Sequence, residues 1–160
     1  MPATRPTRVL MVCLGNICRS PTAEAMLRKK AHEAGLDDRV EVDSAGTSDY
    51  HVDSPPDRRA VAHGERRGLR MQHLRGRQVE RGDFDRFDWI LAMDEDNLEN
   101  LERLRPRGAR ARLALLMSFA PDAGAREVPD PYSGGADAFE HVLDLTAAAA
   151  DGFIASELSS

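Results

Sequence analysis

The run Arg8–Pro21, RVLMVCLGNICRSP, constrains this chain more than any other stretch. Arg8–Cys13 is short and apolar and reads as a buried strand. Leu14–Arg19 contains Gly15 and Asn16, residues that tolerate positive φ. Ser20-Pro21 reads as a helix start, with Ser at the N-cap and Pro at the first helical position. A strand that turns through such a loop into a helix points the loop's N–H groups and the helix N-terminus at one spot, an anion cradle at the strand's C-terminal end.

The rest of the chain repeats the strand-then-helix rhythm. The first helix carries Ala23, Met26, Leu27 and Ala31 on its apolar side, has Glu24 near its first turn, and stops at Gly35. Val40–Ala45 alternates as a second strand, followed by the Gly46–Pro56 loop and an arginine-rich helix over Asp57–Arg67. Phe84–Met93, which contains Trp89-Ile90-Leu91-Ala92, reads as a third strand. Asp94–Leu104 is a helix with Asp94 as its cap, and Ala111–Leu116 is a fourth strand. A long loop over Ser118–Gly135 holds Asp130-Pro131-Tyr132, and Ala136–Leu158 is the closing helix. This order implies an α/β fold, an open four-stranded parallel sheet with helices on both faces and a phosphate loop between strand 1 and helix 1. Ligands in such sheets bind beyond the C-terminal strand ends. At 160 residues the chain is expected to be a single domain over 1–160, with residues 1–7 flexible.

Charge and cysteine usage remove other classes. The net charge of −5 speaks against a protein whose main task is binding nucleic acid. The two cysteines, Cys13 and Cys18, sit five apart, which is no disulfide scaffold. No apolar run approaches the ~20 residues of a membrane span, so a cytoplasmic protein without a membrane partner is expected.

Within the loop the pattern is C-x5-R-S. No Gly-Lys-Ser/Thr follows, so it is not a nucleotide-binding Walker loop. Arg19 can grip two phosphate oxygens at once, which lysine cannot. Cys13, facing a helix N-terminus and an arginine, is expected to be a thiolate near neutral pH. Ser20 can donate a hydrogen bond to it. Taken singly, Cys13 is a small core residue, Arg19 a surface arginine and Ser20 a cap. Taken together, a thiol and a guanidinium at the two ends of an anion cradle point to nucleophilic attack on a bound phosphate.

VCLGNICRSP with Glu24, DSAGTSDY (Asp43–Tyr50), Asp57-x-Arg59, HLRGRQV (His73–Val79), FDWILAMDEDNL (Phe87–Leu98) and DPYSG (Asp130–Gly134) resemble, in the same order, the low-molecular-weight protein tyrosine phosphatases, in their bacterial form. The resemblance implies hydrolysis of phosphotyrosine through a cysteinyl-phosphate on Cys13, with Arg19 and the loop Leu14, Gly15, Asn16, Ile17, Cys18 and Ser20 holding the phosphate. It implies Asp130 as general acid and base, where the residues alone favour a turn before Pro131. It implies that Asn16 braces the loop through Ser44, helped by His73, which would otherwise read as a solvated loop histidine. It makes Cys18 a redox partner of Cys13, and Leu14, Tyr50 and Tyr132 the rim of a slot for an aromatic ring. Tyr50 stands where many relatives carry Trp, and Ser133 replaces a second Tyr, departures that touch peptide choice. His32, His51, His63 and His141 are given no role.

The resemblance further implies no cofactor or metal, a monomer, and tyrosine-phosphorylated proteins as partners, a bacterial tyrosine kinase among them. Three alternatives stand beside it. A protein arginine phosphatase on this scaffold would carry Thr where this chain has Ile17. An arsenate reductase would need cysteines beyond Cys13 and Cys18. A non-catalytic anion-binding or redox-sensing module would not need Cys13, Arg19 and Asp130 together.

Overall fold

Side-chain alternation along β1 (Thr7–Cys13) sorts the molecule into layers. Val9, Met11 and Cys13 face one apolar core, and Leu10 and Val12 face the other. A computed structural model describes residues 5–158. All four strands are parallel, in the order β2-β1-β3-β4, with β2 at Val40–Gly46, β3 at Trp89–Ala92 and β4 at Arg112–Leu115. Helices α1 (Arg19–Glu33) and α5 (Ala136–Phe153) pack together on the first face, with α2 (Arg58–Arg66) against α5. The short α3 (Asp83–Arg86) and α4 (Glu95–Leu104) supply Phe84 and Leu101 to the second core, and α3 takes the start of the expected Phe84–Met93 strand, which narrows to Trp89–Ala92. The α/β fold with helices on both faces is therefore as the sequence implied. Val9, Leu10, Val12, Ile90 and Leu91 are fully buried, each worth ~1.5–3 kcal/mol relative to exposure.

The sheet order decides where a ligand can sit. The chain leaves β1 toward β2 on one side and returns to β3 on the other, so the crevice beyond β1 and β3 is the switch point of the sheet. The turn after β1 opens into it.

Local chemistry departs from the sequence reading at several points. The strand begins at Thr7, which pairs with Val40, and Arg5 reaches Asp88 at 2.7 Å. Of the residues 1–7 expected to be flexible, 5–7 are held by these contacts, and 1–4 lie outside the described residues. Helix α1 starts at Arg19 with Cys18 at the cap position and no side-chain cap bond. Ser20 is not the cap because its hydroxyl is engaged at Cys13, and Pro21 falls at the third helical position. Glu24 is buried one turn further along rather than serving the helix dipole. Asp57 and Asp94 do cap α2 and α4, the latter in a reciprocal capping box with Asn97.

Candidate active site

The loop from Cys13 to Ser20 is held by a directed hydrogen-bond network. Asn16 adopts φ 59°, a conformation Asn tolerates better than most residues, and its backbone N–H donates to Cys13 Sγ at 3.2 Å. Its side-chain Oδ1 accepts from the Arg77 N–H at 3.0 Å, which fixes the amide's orientation. Nδ2 must then donate, and it does so to Ser20 Oγ at 2.8 Å and Ser44 Oγ at 3.0 Å. Ser44 Oγ in turn donates a hydrogen bond to Glu24 Oε1 at 2.7 Å. Burial raises the Glu24 pKa despite the hydrogen bonds from Ser44 and Arg28. Ser20 Oγ, already accepting from Asn16, lies 3.0 Å from Cys13 Sγ with its proton available to the sulfur. Every neighbour with a fixed direction around this sulfur is thus a donor.

The remaining loop N–H groups complete the cradle. Those of Gly15, Ile17, Cys18 and Arg19 have no protein acceptor among the described residues. The loop is strapped from behind, Thr47 and Ser48 donating to the carbonyls of Cys13 and Leu14 at 2.9 and 3.0 Å. Gly46 ends β2 against the loop. A Cβ there would lie 2.7 Å from the Leu14 carbonyl oxygen, so only glycine permits this approach.

Arg19 is buried, and its Nη1 is taken by Asp94 Oδ2 at 2.6 Å and the Val128 carbonyl at 3.0 Å. The donors on Nε and Nη2 have no protein acceptor among the described residues, leaving one edge of the fork for two oxygens of a tetrahedral anion. Burial pulls the Arg19 pKa down, but the Asp94 bond and the charges of Cys13, Asp94 and Asp130 leave it raised overall. Arg19 therefore stays charged.

Cys13, Arg19 and Asp130 line one cleft of about 210 Å³. Leu14, Gly15, Ile17, Cys18, Tyr50 and Tyr132 line it too. Leu14, Tyr50 and Tyr132 are 44%, 74% and 54% exposed, an apolar collar around a polar floor. Asp130 Oδ1 accepts from the Tyr132 N–H at 3.1 Å, so one turn aims the carboxylate and the ring at the same opening.

At three residues the structure differs from the expectation. His73 is exposed and lines a separate cleft with Arg28 and Arg70, away from Asn16. The chain turns at Gly76, and the backbone N–H of Arg77 meets Asn16 instead. Arg77 is anchored by ion pairs to Asp43 at 3.1 Å and to fully buried Asp83 at 3.0 Å. His51, given no role, stands on the cleft wall, its ring edge 3.1 Å from where a Cβ on Gly15 would be. Asp94 is more than the cap its position suggests. Its two oxygens divide that task from the Arg19 contact, and the capping pattern concealed the second.

Cys18 is buried and unpaired as a disulfide, and burial, with Asp57, Cys13 and Asp130 nearby, pushes its pKa up to about 12. At neutral pH it is therefore held as the thiol. Iodoacetamide at neutral pH is expected to label Cys13 and spare Cys18 in the folded enzyme, with phosphate protecting Cys13. Peptide mass spectrometry reads this directly, and first labelling at Cys18 would contradict the assignment of the reactive sulfur.

A model of the family described as low molecular weight phosphotyrosine protein phosphatase matches residues 8–159. The chain is 44% identical over 137 residues to a low molecular weight phosphotyrosine protein phosphatase of Schizosaccharomyces pombe, covering 85% of this chain and 87% of the relative. Its structure is similar to the crystal structure of a protein tyrosine phosphatase from Entamoeba histolytica with Hepes in the active site (TM-score 0.89, 38% identity, 93% and 95% of the two chains). It is also similar to that of a Drosophila arginine phosphatase (TM-score 0.88, 33% identity, 95% and 98%). Among the described residues no helix is long and apolar enough to cross a membrane.

Proposed function

The chain belongs to the low molecular weight phosphotyrosine protein phosphatase family, and from that membership and the geometry of its cleft we propose how its residues divide the work. It is a phosphoric monoester hydrolase acting on phosphotyrosine in proteins through a cysteinyl-phosphate. The observation that carries the assignment of roles is the sulfur of Cys13 on the cleft floor, ringed by donors, with Asp130 on the wall.

Cys13 thiolate attacks phosphorus in line, forming the S–P bond as the P–O bond to tyrosine breaks. The unpaired loop N–H groups and the free edge of Arg19 hold the equatorial oxygens as charge spreads over them. Asp130 gives its proton to the leaving phenolate, whose conjugate acid has a pKa near 10. The resulting carboxylate takes a proton from water as the water oxygen attacks phosphorus, and the S–P bond breaks. Ser20 donates to the departing thiolate. Leu14, Tyr50 and Tyr132 sandwich the ring, and His51 adds a polar edge to the same wall. Cys18 is the proposed redox partner of Cys13: when a peroxide oxidises Cys13 to the sulfenic acid, the Cys18 sulfur attacks it, the S–S bond forms and the sulfenic oxygen leaves as water.

Asp130→Ala is expected to lower kcat on phosphotyrosine by about 10²–10³-fold. The loss should shrink as the leaving group becomes more acidic, because an acidic phenol departs without a proton. Equal loss across a series of aryl phosphates would remove Asp130 from the acid's role.

The likeness to an arginine phosphatase makes substrate class the main test. Ile17, half-buried in the cleft lining, offers no polar group to a phosphoguanidinium, whereas the collar of Leu14, Tyr50 and Tyr132 suits a flat ring. Phosphotyrosine peptides are expected to be hydrolysed, and phosphoarginine and phosphoserine peptides left largely intact. Faster release from phosphoarginine would overturn the preference. Tyrosine-phosphorylated proteins, including a bacterial tyrosine kinase, are the proposed partners, met by a monomeric enzyme in the cytoplasm.

A further inference from the structure

Arg59 lies outside the cleft, yet its contacts converge on the loop that carries Asp130. Its Nη2 donates to the Tyr132 carbonyl at 2.9 Å, and Nη1 reaches the Gly134 carbonyl at 3.4 Å. The guanidinium also covers two rings, with Tyr132 at 5.5 Å and Phe139, in the first turn of α5, at 4.7 Å. Its other edge is held by Asp57, which accepts from Nε at 3.2 Å and from Nη2 at 3.1 Å. Asp57 in turn caps α2, and its backbone N–H donates to the carbonyl of Ile17 in the phosphate loop at 2.8 Å. One unbroken chain of contacts runs from the phosphate loop through Asp57 and Arg59 to residues 132–134.

We propose that Arg59 is the positioning residue of the general acid, latching the 130–134 loop to the phosphate loop through Asp57 so that Asp130 is held over Cys13 before substrate arrives. The proposal rests on Asp130 being the acid. The physical case is one of preorganisation. Asp130, Tyr132, Ser133 and Gly134 are exposed and Pro131 alone of the 130–134 loop is buried; the loop's own bonds, Tyr132 N–H to Asp130 and Gly134 N–H to the Pro131 carbonyl, are local to the turn. Such turn bonds shape the loop but do not tie it to the floor of the cleft. A misplacement of about 1 Å at a reacting group can cost ~10²-fold. Lysine can keep the charge near Asp57, but it lacks the planar fork that meets a carboxylate and two carbonyls together while stacking on two rings.

The test uses Arg59→Ala, Arg59→Lys, Asp130→Ala and the Arg59→Ala/Asp130→Ala double variant. Arg59→Ala is expected to slow kcat on phenyl phosphate by about tenfold or more, with little loss on a dinitrophenyl phosphate. Inhibition by inorganic phosphate should be unchanged, because the cradle is intact. The double variant should be no slower than Asp130→Ala, and Arg59→Lys should fall between wild type and Arg59→Ala. Amide hydrogen exchange at Tyr132 and Gly134 should rise in Arg59→Ala while the phosphate loop stays protected. Unchanged exchange overturns the latch whatever Asp130 does. Faster exchange with a uniform loss over all leaving groups, or losses that multiply in the double variant, overturns the link to the acid. If Asp130→Ala is itself insensitive to the leaving group, the acid assignment fails, and faster exchange in Arg59→Ala marks that failure as separate from the latch's.

Discussion

Cys13→Ser is expected to reduce turnover of p-nitrophenyl phosphate by about 10⁴–10⁶-fold, to background, while leaving inorganic phosphate bound. The argument is the direction of the hydrogen bonds. The Asn16 N–H donates toward the sulfur, and Ser20, accepting from Asn16, keeps its own proton for the same atom. A serine hydroxyl placed there has Ser20 and the Asn16 N–H as its hydrogen-bond partners, and neither is a base that could take its proton. It remains an alcohol, a weak nucleophile without such a base. The phosphate cradle does not depend on the thiol: the loop N–H groups and the free edge of Arg19 remain. Steady-state kinetics together with calorimetric titration of phosphate separates the two. Turnover above about a hundredth of wild type would exclude the cysteinyl-phosphate route. Loss of phosphate binding alongside turnover would mean that the sulfur also shapes the cradle.

The same directions explain what could be read from the sequence. The strand, loop and first helix follow from local signals: an apolar run, residues tolerant of positive φ, and a helix-starting segment. They place Cys13, Asn16, Arg19 and Ser20 within a few residues of one another. Ser44 required the resemblance, because its partner is 28 residues away and a serine in a strand carries no signal of its own. Arg77 and His73 were exchanged for a physical reason. The group that meets Asn16 is a backbone N–H, which every residue but proline has, so no side-chain pattern marks it. Only the ion pairs of Arg77 with Asp43 and buried Asp83 show why that N–H is held in place. Asp94 was hidden differently: a helix cap is a sufficient explanation for an Asp at that position, and its second oxygen's partner lies 75 residues away. Ser20 misled in the opposite sense. Its place before Pro21 suits a cap, but burial against Cys13 and Asn16 recruits the hydroxyl into the site.

Arg19→Ala should lower kcat by about 10³–10⁵-fold, the range typical of an arginine that neutralises a transferring phosphoryl group. Unlike Cys13→Ser and Asp130→Ala, it should also weaken phosphate binding, because the same fork holds the ground-state anion. Arg19→Lys should recover little. An ammonium can stand near Asp94, but it is a point charge and cannot meet Asp94, the Val128 carbonyl and two phosphate oxygens in one plane. Both variants carry a structural cost as well. Arg19 and Asp94 form an ion pair at 2.6 Å with side chains 5% and 23% exposed. Breaking a buried pair costs about 3–5 kcal/mol, and the lower end applies here because Asp94 retains some water and its bond to Asn97. Asp94→Asn separates position from charge. Asparagine still caps α4, so the fold should hold, but the guanidinium loses its ionic anchor. A kcat loss of about tenfold is the expected outcome, with a lowered melting temperature because the buried guanidinium loses its counter-charge. Arg19→Lys within tenfold of wild type would show that charge alone suffices and that the bidentate grip is not what the buried arginine supplies.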